Sequence, residues 1–164
     1  MAKLTNYIPE PKQEYDVENQ RQIIESMTTM KQQLSFSFQE DLKNEPFAEW
    51  FNTEYNNYAP FGKTITQLNS LIEGASIAIF MGTWCSDSQM HVPAFFRILD
   101  EIEFLGDVRI VGVDEEKKTP YGSATENGIN YVPTFIFYKN SKEINRIVES
   151  PIAFLEDDIL AILS

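Results

Sequence analysis

Cysteine and histidine are almost missing from this chain, whose 164 residues include one of each, Cys85 and His91. A single cysteine rules out an intramolecular disulfide. A structural zinc centre needs about four good ligands, so no metal is expected either. A lone thiol suits a reducing compartment, and a cytoplasmic location is expected. Basic residues are also scarce. Thirteen lysines and arginines face 25 aspartates and glutamates, for a formal net charge of −12. That balance opposes phosphate backbones and anionic lipid, so neither nucleic acid nor a membrane surface is an expected partner. No run approaches the ~20 apolar residues of a membrane span. Met1 to Pro11 carry one lysine and no apolar core segment, so no secretory signal is expected there. Phosphate-cradling glycine loops and the Gly-x-Ser-x-Gly elbow are absent as well. Asp114-Glu115-Glu116 lacks calcium-loop spacing and reads as a solvated turn.

The length suits one domain, which at this size buries roughly 70% of the surface its unfolded chain exposes. Residues 1–13 read as irregular because Pro9 and Pro11 deny backbone donors. From Glu14 to Leu34, Val17, Ile23, Ile24, Met27, Met30 and Leu34 recur at helical spacing, which predicts an amphipathic helix. A second helix is predicted over Phe47–Tyr58, where Phe47, Trp50, Phe51, Tyr55 and Tyr58 form an aromatic stripe read as core. Thr64 is placed to cap a short helix carrying Ile65, Leu68, Leu71 and Ile72, and Gly74 to end it. Ser76–Met81 is a compact apolar run of the kind that forms a strand covered on both faces. Ser86–Ile102 follows as a helix interrupted by Pro93. Val108–Val113 is another buried strand. Tyr131–Tyr138 and Glu143–Val148 form a hairpin across Lys139-Asn140-Ser141-Lys142, and Pro151 opens a closing helix.

Cys85 lies in Phe80-Met81-Gly82-Thr83-Trp84-Cys85-Ser86-Asp87-Ser88, directly after the first strand and at the start of a helix. Free backbone N–H groups and the helix dipole favour a thiolate over a thiol at such a position. The plainer reading is a structural thiol, since cysteine is among the most buried residue types. Ser88 lies one helical turn on, where its hydroxyl either donates to the sulfur or is simply a first-turn polar group. Asp87 suits the first turn but would repel a thiolate. His91 points to another part of the helix, where an exposed or capping role outweighs a catalytic one.

The pair Trp84-Cys85-Ser86-Asp87-Ser88 and Val132-Pro133-Thr134, with Pro93 eight residues past the cysteine, resembles the thioredoxin-like superfamily. The match is to a monothiol variant in which Ser88 replaces the resolving cysteine. The order of elements from about residue 61 resembles the thioredoxin fold. It implies an α/β chain, a three-layer α/β/α sandwich on a mixed central sheet. Domain 61–164 would be thioredoxin-like and residues 1–60 a helical extension packed on it, offering a surface for homo-oligomers. By resemblance, Cys85 is the nucleophile and Ser88 its catalytic neighbour. Trp84, Ser86, Asp87, Val132 and Pro133 then contact substrate, with Pro133 cis beside the sulfur. The buried acid many thioredoxins carry six residues before the cysteine is here Ile79, so protons must move through water or another group. Pro120, Gly122 and Gly128 shorten or break the crossover helix over Asp114–Asn130.

The expected function is a monothiol disulfide oxidoreductase acting on protein or small-molecule disulfides. It needs no bound cofactor, and an external thiol such as glutathione resolves the mixed disulfide. The alternative is a redox-silent module whose groove at Trp84, Val132 and Pro133 holds an extended peptide.

Overall fold

A computed structural model describes residues 41–119 and 122–164. The helix expected over Glu14–Leu34, and the oligomer surface expected of the N-terminal extension, involve residues outside that range. Helices α1 (Ala48–Asn57) and α2 (Gly62–Leu71) precede strand β1 (Ala75–Met81) and helix α3 (Ser86–Glu101). Strands β2 (Val108–Gly112), β3 (Lys118–Thr119) and β4 (Gly122–Ser123) lead to a 3-10 turn at Ala124–Asn127. Strands β5 (Thr134–Lys139) and β6 (Lys142–Val148) and helix α4 (Leu155–Leu163) complete the chain.

The main sheet has the order β2-β1-β5-β6. β1 runs parallel to β2, with Ile79 opposite Ile110, and antiparallel to β5, with Ile79 opposite Phe135. β1 is therefore central, and the chain leaves its end at Met81 directly into the segment that carries Cys85. The period-two alternation of a strand separates its side chains. Ile77, Ile79 and Met81 join a core with Phe135 and Phe137 of β5, while Ala78 and Phe80 face the other way. Residues of all four helices among the described residues enter that first core, including Phe51, Leu68, Phe95, Phe96 and Ile159. The rings of Phe95 and Phe135 stack with centroids 4.6 Å apart, which anchors α3 on the sheet.

The opposite face is covered differently. Its small core consists of Val113, Ala124, Ile129, Val132 and Ile136. Among the described residues, the crossover between β2 and β5 is the β3–β4 pair and the 3-10 turn, ended by Gly128 in the left-handed conformation at φ 72°. No α-helix forms there, in keeping with the helix breakers Gly122 and Gly128 in that segment.

Local differences from expectation have local causes. The hairpin turns through Asn140 and Ser141, both left-handed at φ 51° and 61°, as a two-residue hairpin requires. β5 begins at Thr134, not Tyr131. Pro133 offers no N–H, and the Thr134 hydroxyl donates to the Tyr131 carbonyl at 2.8 Å, closing a turn before the strand. Thr64 does not cap α2, because the helix starts at Gly62 and the Thr64 hydroxyl donates instead to Asp157 Oδ1 at 3.1 Å. α4 opens at Leu155, four residues beyond Pro151, after Asp158 Oδ2 accepts the Ile152 N–H at 2.8 Å.

The first turn of α4 is also where the linker between α1 and α2 is tied down. Glu156, 1% exposed, accepts the Tyr58 hydroxyl on one oxygen and the Phe61 N–H at 2.9 Å on the other. Burial and then the Glu156 hydrogen bond push the Tyr58 phenol well above its ordinary range. Replacing Glu156 by alanine strands two donors, and a loss of about 2–4 kcal/mol is expected in urea unfolding. Tyr58→Phe should cost about 1–2 kcal/mol. The raised phenol has a further consequence. The folded chain holds that proton more tightly than the unfolded chain does, so this stability is present below the ordinary phenol value of 10.0 and lost as pH climbs past it. Tyr58→Phe should flatten that alkaline slope.

Candidate active site

Cys85 occupies the N-cap of α3, with extended backbone at φ −92° and ψ 123°. The Gln89 N–H bonds to the Cys85 carbonyl at 3.0 Å as the first intrahelical link. The amides of Ser86, Asp87 and Ser88 precede that link, so they are the unsatisfied donors of a helix start beside the sulfur. The thiol is only half-buried. It donates to the Val132 carbonyl at 3.2 Å, joining two segments remote along the chain. The Val132–Pro133 peptide bond is cis.

The residues singled out from sequence fall into two groups. Cys85, Trp84, Val132 and Pro133 come together. Val132 is 4% exposed and Pro133 is buried, so what this segment offers a ligand beside the sulfur is backbone. Exposed side-chain surface comes instead from Trp84, 43% exposed, and from Tyr131, 56% exposed and adjacent to Val132. Ser86 and Asp87 lie on the first turn of α3, exposed and half-buried respectively. Ser88 points inward. It is fully buried, and its oxygen accepts the Gly82 N–H at 3.3 Å. No hydrogen bond joins it to the Cys85 sulfur among the described residues.

Trp84 is held from two sides. Its indole N–H donates to the Val113 carbonyl at 2.9 Å, and the Lys117 ammonium lies 4.9 Å from the ring centroid. The ring lies flat against Gly82, where an added Cβ would come within 2.5 Å of it. Gln89 fixes the same loop by donating to the Thr83 carbonyl at 2.7 Å. Tyr131, Gly82 and Lys117 were not singled out from sequence. Tyr131 reads as the start of a strand, and Lys117 follows an acidic run that reads as a turn. Among the described residues, no group of histidine, cysteine and carboxylates could hold a metal ion.

His91, half-buried on α3, has its ionisation shifted below the ordinary imidazole range by burial, with Asp87 and Glu54 opposing the shift. Its neutral form therefore dominates in the folded chain near neutrality.

The thioredoxin family model matches residues 53–160. The chain is similar to thioredoxin Y, chloroplastic, of Oryza sativa subsp. japonica, at 35% identity over 89 residues, or 51% of this chain and 49% of the rice protein. It thus spans about half of that relative's length. It is also similar to thioredoxin of Gallus gallus, at 28% identity over 97 residues, covering 59% of this chain and 88% of the chicken protein. Among solved structures, a protein of unknown function from Pseudomonas aeruginosa shares the fold with a TM-score of 0.53 and 15% identity, over 70% of this chain and 80% of that one.

Two outcomes test this geometry. Gly82→Ala must push the indole off its seat, and a loss of about 1–3 kcal/mol is expected together with a shift in tryptophan fluorescence. For His91, the unfolded chain takes up a proton before the folded one does. Its contribution is therefore present above the ordinary imidazole value of 6.5 and lost as pH falls below it. Thermal unfolding of His91→Gln should show a shallower fall in melting temperature on acidification than the parent.

Proposed function

Because the chain belongs to the thioredoxin family, we propose that it is a monothiol disulfide oxidoreductase with Cys85 as nucleophile. The observation that carries this reading is the placement of the sulfur. It is half-buried at the start of α3 and within hydrogen-bond distance of the loop that bears Pro133.

As a thiol, Cys85 donates to the Val132 carbonyl. Loss of the proton removes that bond and leaves the sulfur facing the free amides at the helix start. The Cys85 thiolate attacks one sulfur of a disulfide, forming a bond to it as the substrate S–S bond breaks. The departing sulfur leaves as a thiolate and takes a proton from water. Ile79, buried in the sheet, supplies no acid for this step.

Ser88 stands where a second cysteine would act, and it cannot close a disulfide. A low-molecular-weight thiol, of which glutathione is the representative, therefore attacks the mixed disulfide as its thiolate. It takes the substrate half and releases Cys85 as a thiolate. That substrate half is now in a mixed disulfide with the external thiol, and a second external thiol attacks it, so that two external thiols are oxidised to their disulfide and both substrate sulfurs leave as thiolates. Val132 and Pro133 present backbone to an extended substrate, with Trp84 and the first turn, Ser86 and Asp87, at the rim. Ser88 supports this site by bonding the Gly82 amide beneath the Trp84 ring. A reducing compartment such as the cytoplasm would supply the external thiol.

Near neutral pH, iodoacetamide should alkylate Cys85 about tenfold faster than a cysteine in an unstructured peptide. The protein should also reduce a glutathionylated peptide in a glutathione-coupled assay, and Cys85→Ser should abolish that turnover. Ordinary alkylation with no turnover, combined with a peptide partner retained equally by Cys85→Ala, would establish the redox-silent binding module instead.

A further inference from the structure

Positive charge is scarce in this chain, and among the described residues three of the cations are neutralised by ion pairs. Arg97 pairs with Glu101, Lys118 with Glu116 and Arg146 with Glu143. The Lys139 ammonium donates to the Leu71 carbonyl at 3.0 Å, away from the site. Lys117 differs from all of these. Its ammonium contacts the Trp84 ring, 4.9 Å to the centroid, and the Glu115 carbonyl at 3.2 Å. Both partners are uncharged. Among the described residues no carboxylate lies within ion-pair distance of it.

The loop is built to hold it there. Asp114 Oδ1 accepts the Lys118 N–H at 2.8 Å, and the Asp114 carbonyl accepts the Lys117 N–H at 3.0 Å. The Asp114 N–H returns to the Lys118 carbonyl at 3.1 Å, and the Lys117 carbonyl accepts the Ala124 N–H at 2.8 Å. Lys117 itself sits in the left-handed region at φ 61°, a conformation a lysine adopts only when its surroundings impose it. The same loop takes the indole N–H on the Val113 carbonyl. One short segment therefore fixes both the ring beside Cys85 and a cation on that ring. Asp87, on the first turn of α3, is the acid nearest to Cys85 in sequence and works against anions there.

We propose that Lys117 is a specificity-determining residue that makes the Cys85 site select disulfides carrying a carboxylate next to the sulfur. This deepens the oxidoreductase reading and rests on it for the identity of the substrate. The physical basis is local. In a chain of charge −12, an anionic substrate is repelled at long range, and one fixed cation at the rim offsets this where the sulfurs meet. Lys117 touches neither sulfur, so its effect falls on capture of charged substrates rather than on bond exchange.

Two alkylating reagents that differ by one negative charge isolate this effect from turnover. Rates of Cys85 modification by iodoacetate and by iodoacetamide are compared as a ratio. At low salt, Lys117→Gln should lower the iodoacetate-to-iodoacetamide ratio about threefold and Lys117→Glu about tenfold, with Lys117→Arg close to the parent. About 0.5 M salt should erase most of the difference. In the coupled assay, dithiodiglycolate, a dianionic disulfide, should show a raised KM with little change in kcat for Lys117→Gln, whereas cystamine, a cationic disulfide, should improve. A peptide disulfide with flanking aspartates, compared with dithiodiglycolate, tells whether small or peptide carboxylates benefit more. An unchanged reagent ratio in folded Lys117→Glu overturns the proposal even if turnover is robust. A shifted ratio without turnover keeps the charge selectivity and removes the oxidoreductase reading.

Discussion

The hydrogen bond from the Cys85 thiol to the Val132 carbonyl, 3.2 Å long, is the point at which this molecule becomes more than a packed α/β sheet. It joins the end of β1 to the segment entering β5, and those strands are neighbours only because the sheet order places them so. Everything proposed for the site assumes that juxtaposition. The helix start supplies unsatisfied amides, the Pro133 segment supplies backbone, and the sulfur lies between them. Neither segment alone is chemically distinctive.

The sheet is packed unequally, and this shapes the site. On one face, four helices share a single aromatic and aliphatic core, and Glu156 adds a buried polar tie between the start of α4 and the linker ahead of α2. On the other face, one 3-10 turn and its loops cover a smaller core that includes Val132 and reaches Cys85. The Cys85 sulfur thus borders the smaller of the two described cores. Loss of a crossover helix leaves short loops in its place, and such loops can be shaped closely around a neighbouring side chain. Here the loop after β2 is shaped around Trp84.

Ser88 shows how one substitution redirects chemistry. A hydroxyl can occupy a site that a thiol would and can accept the Gly82 amide, so the local packing tolerates it. It cannot form an S–S bond. In the proposed reading, the site has one reactive atom, bordered among the described residues by the exposed side chains of Trp84 and Tyr131, and depends on a second molecule to finish any exchange it begins.

Much of this was legible in the amino-acid order. The apolar run Ser76–Met81, the hairpin through Asn140 and Ser141, the aromatic stripe of α1 and the Cys85–Ser88 spacing are local properties, set by side-chain character and backbone preference within a few residues. The resemblance in two short motifs led to the correct family. The inward commitment of Ser88, the indole lying on Gly82, and Lys117 over Trp84 were not legible. Each depends on which atom of a distant segment arrives within bonding distance. Asp114-Glu115-Glu116 reads as a solvated turn in one dimension and, with the Lys117 that follows it, borders the candidate site in three, because parallel pairing of β2 with β1 delivers that turn to the same sheet end as Cys85. Local sequence settles which elements form, and only the closing of the chain on itself settles which of their ends meet.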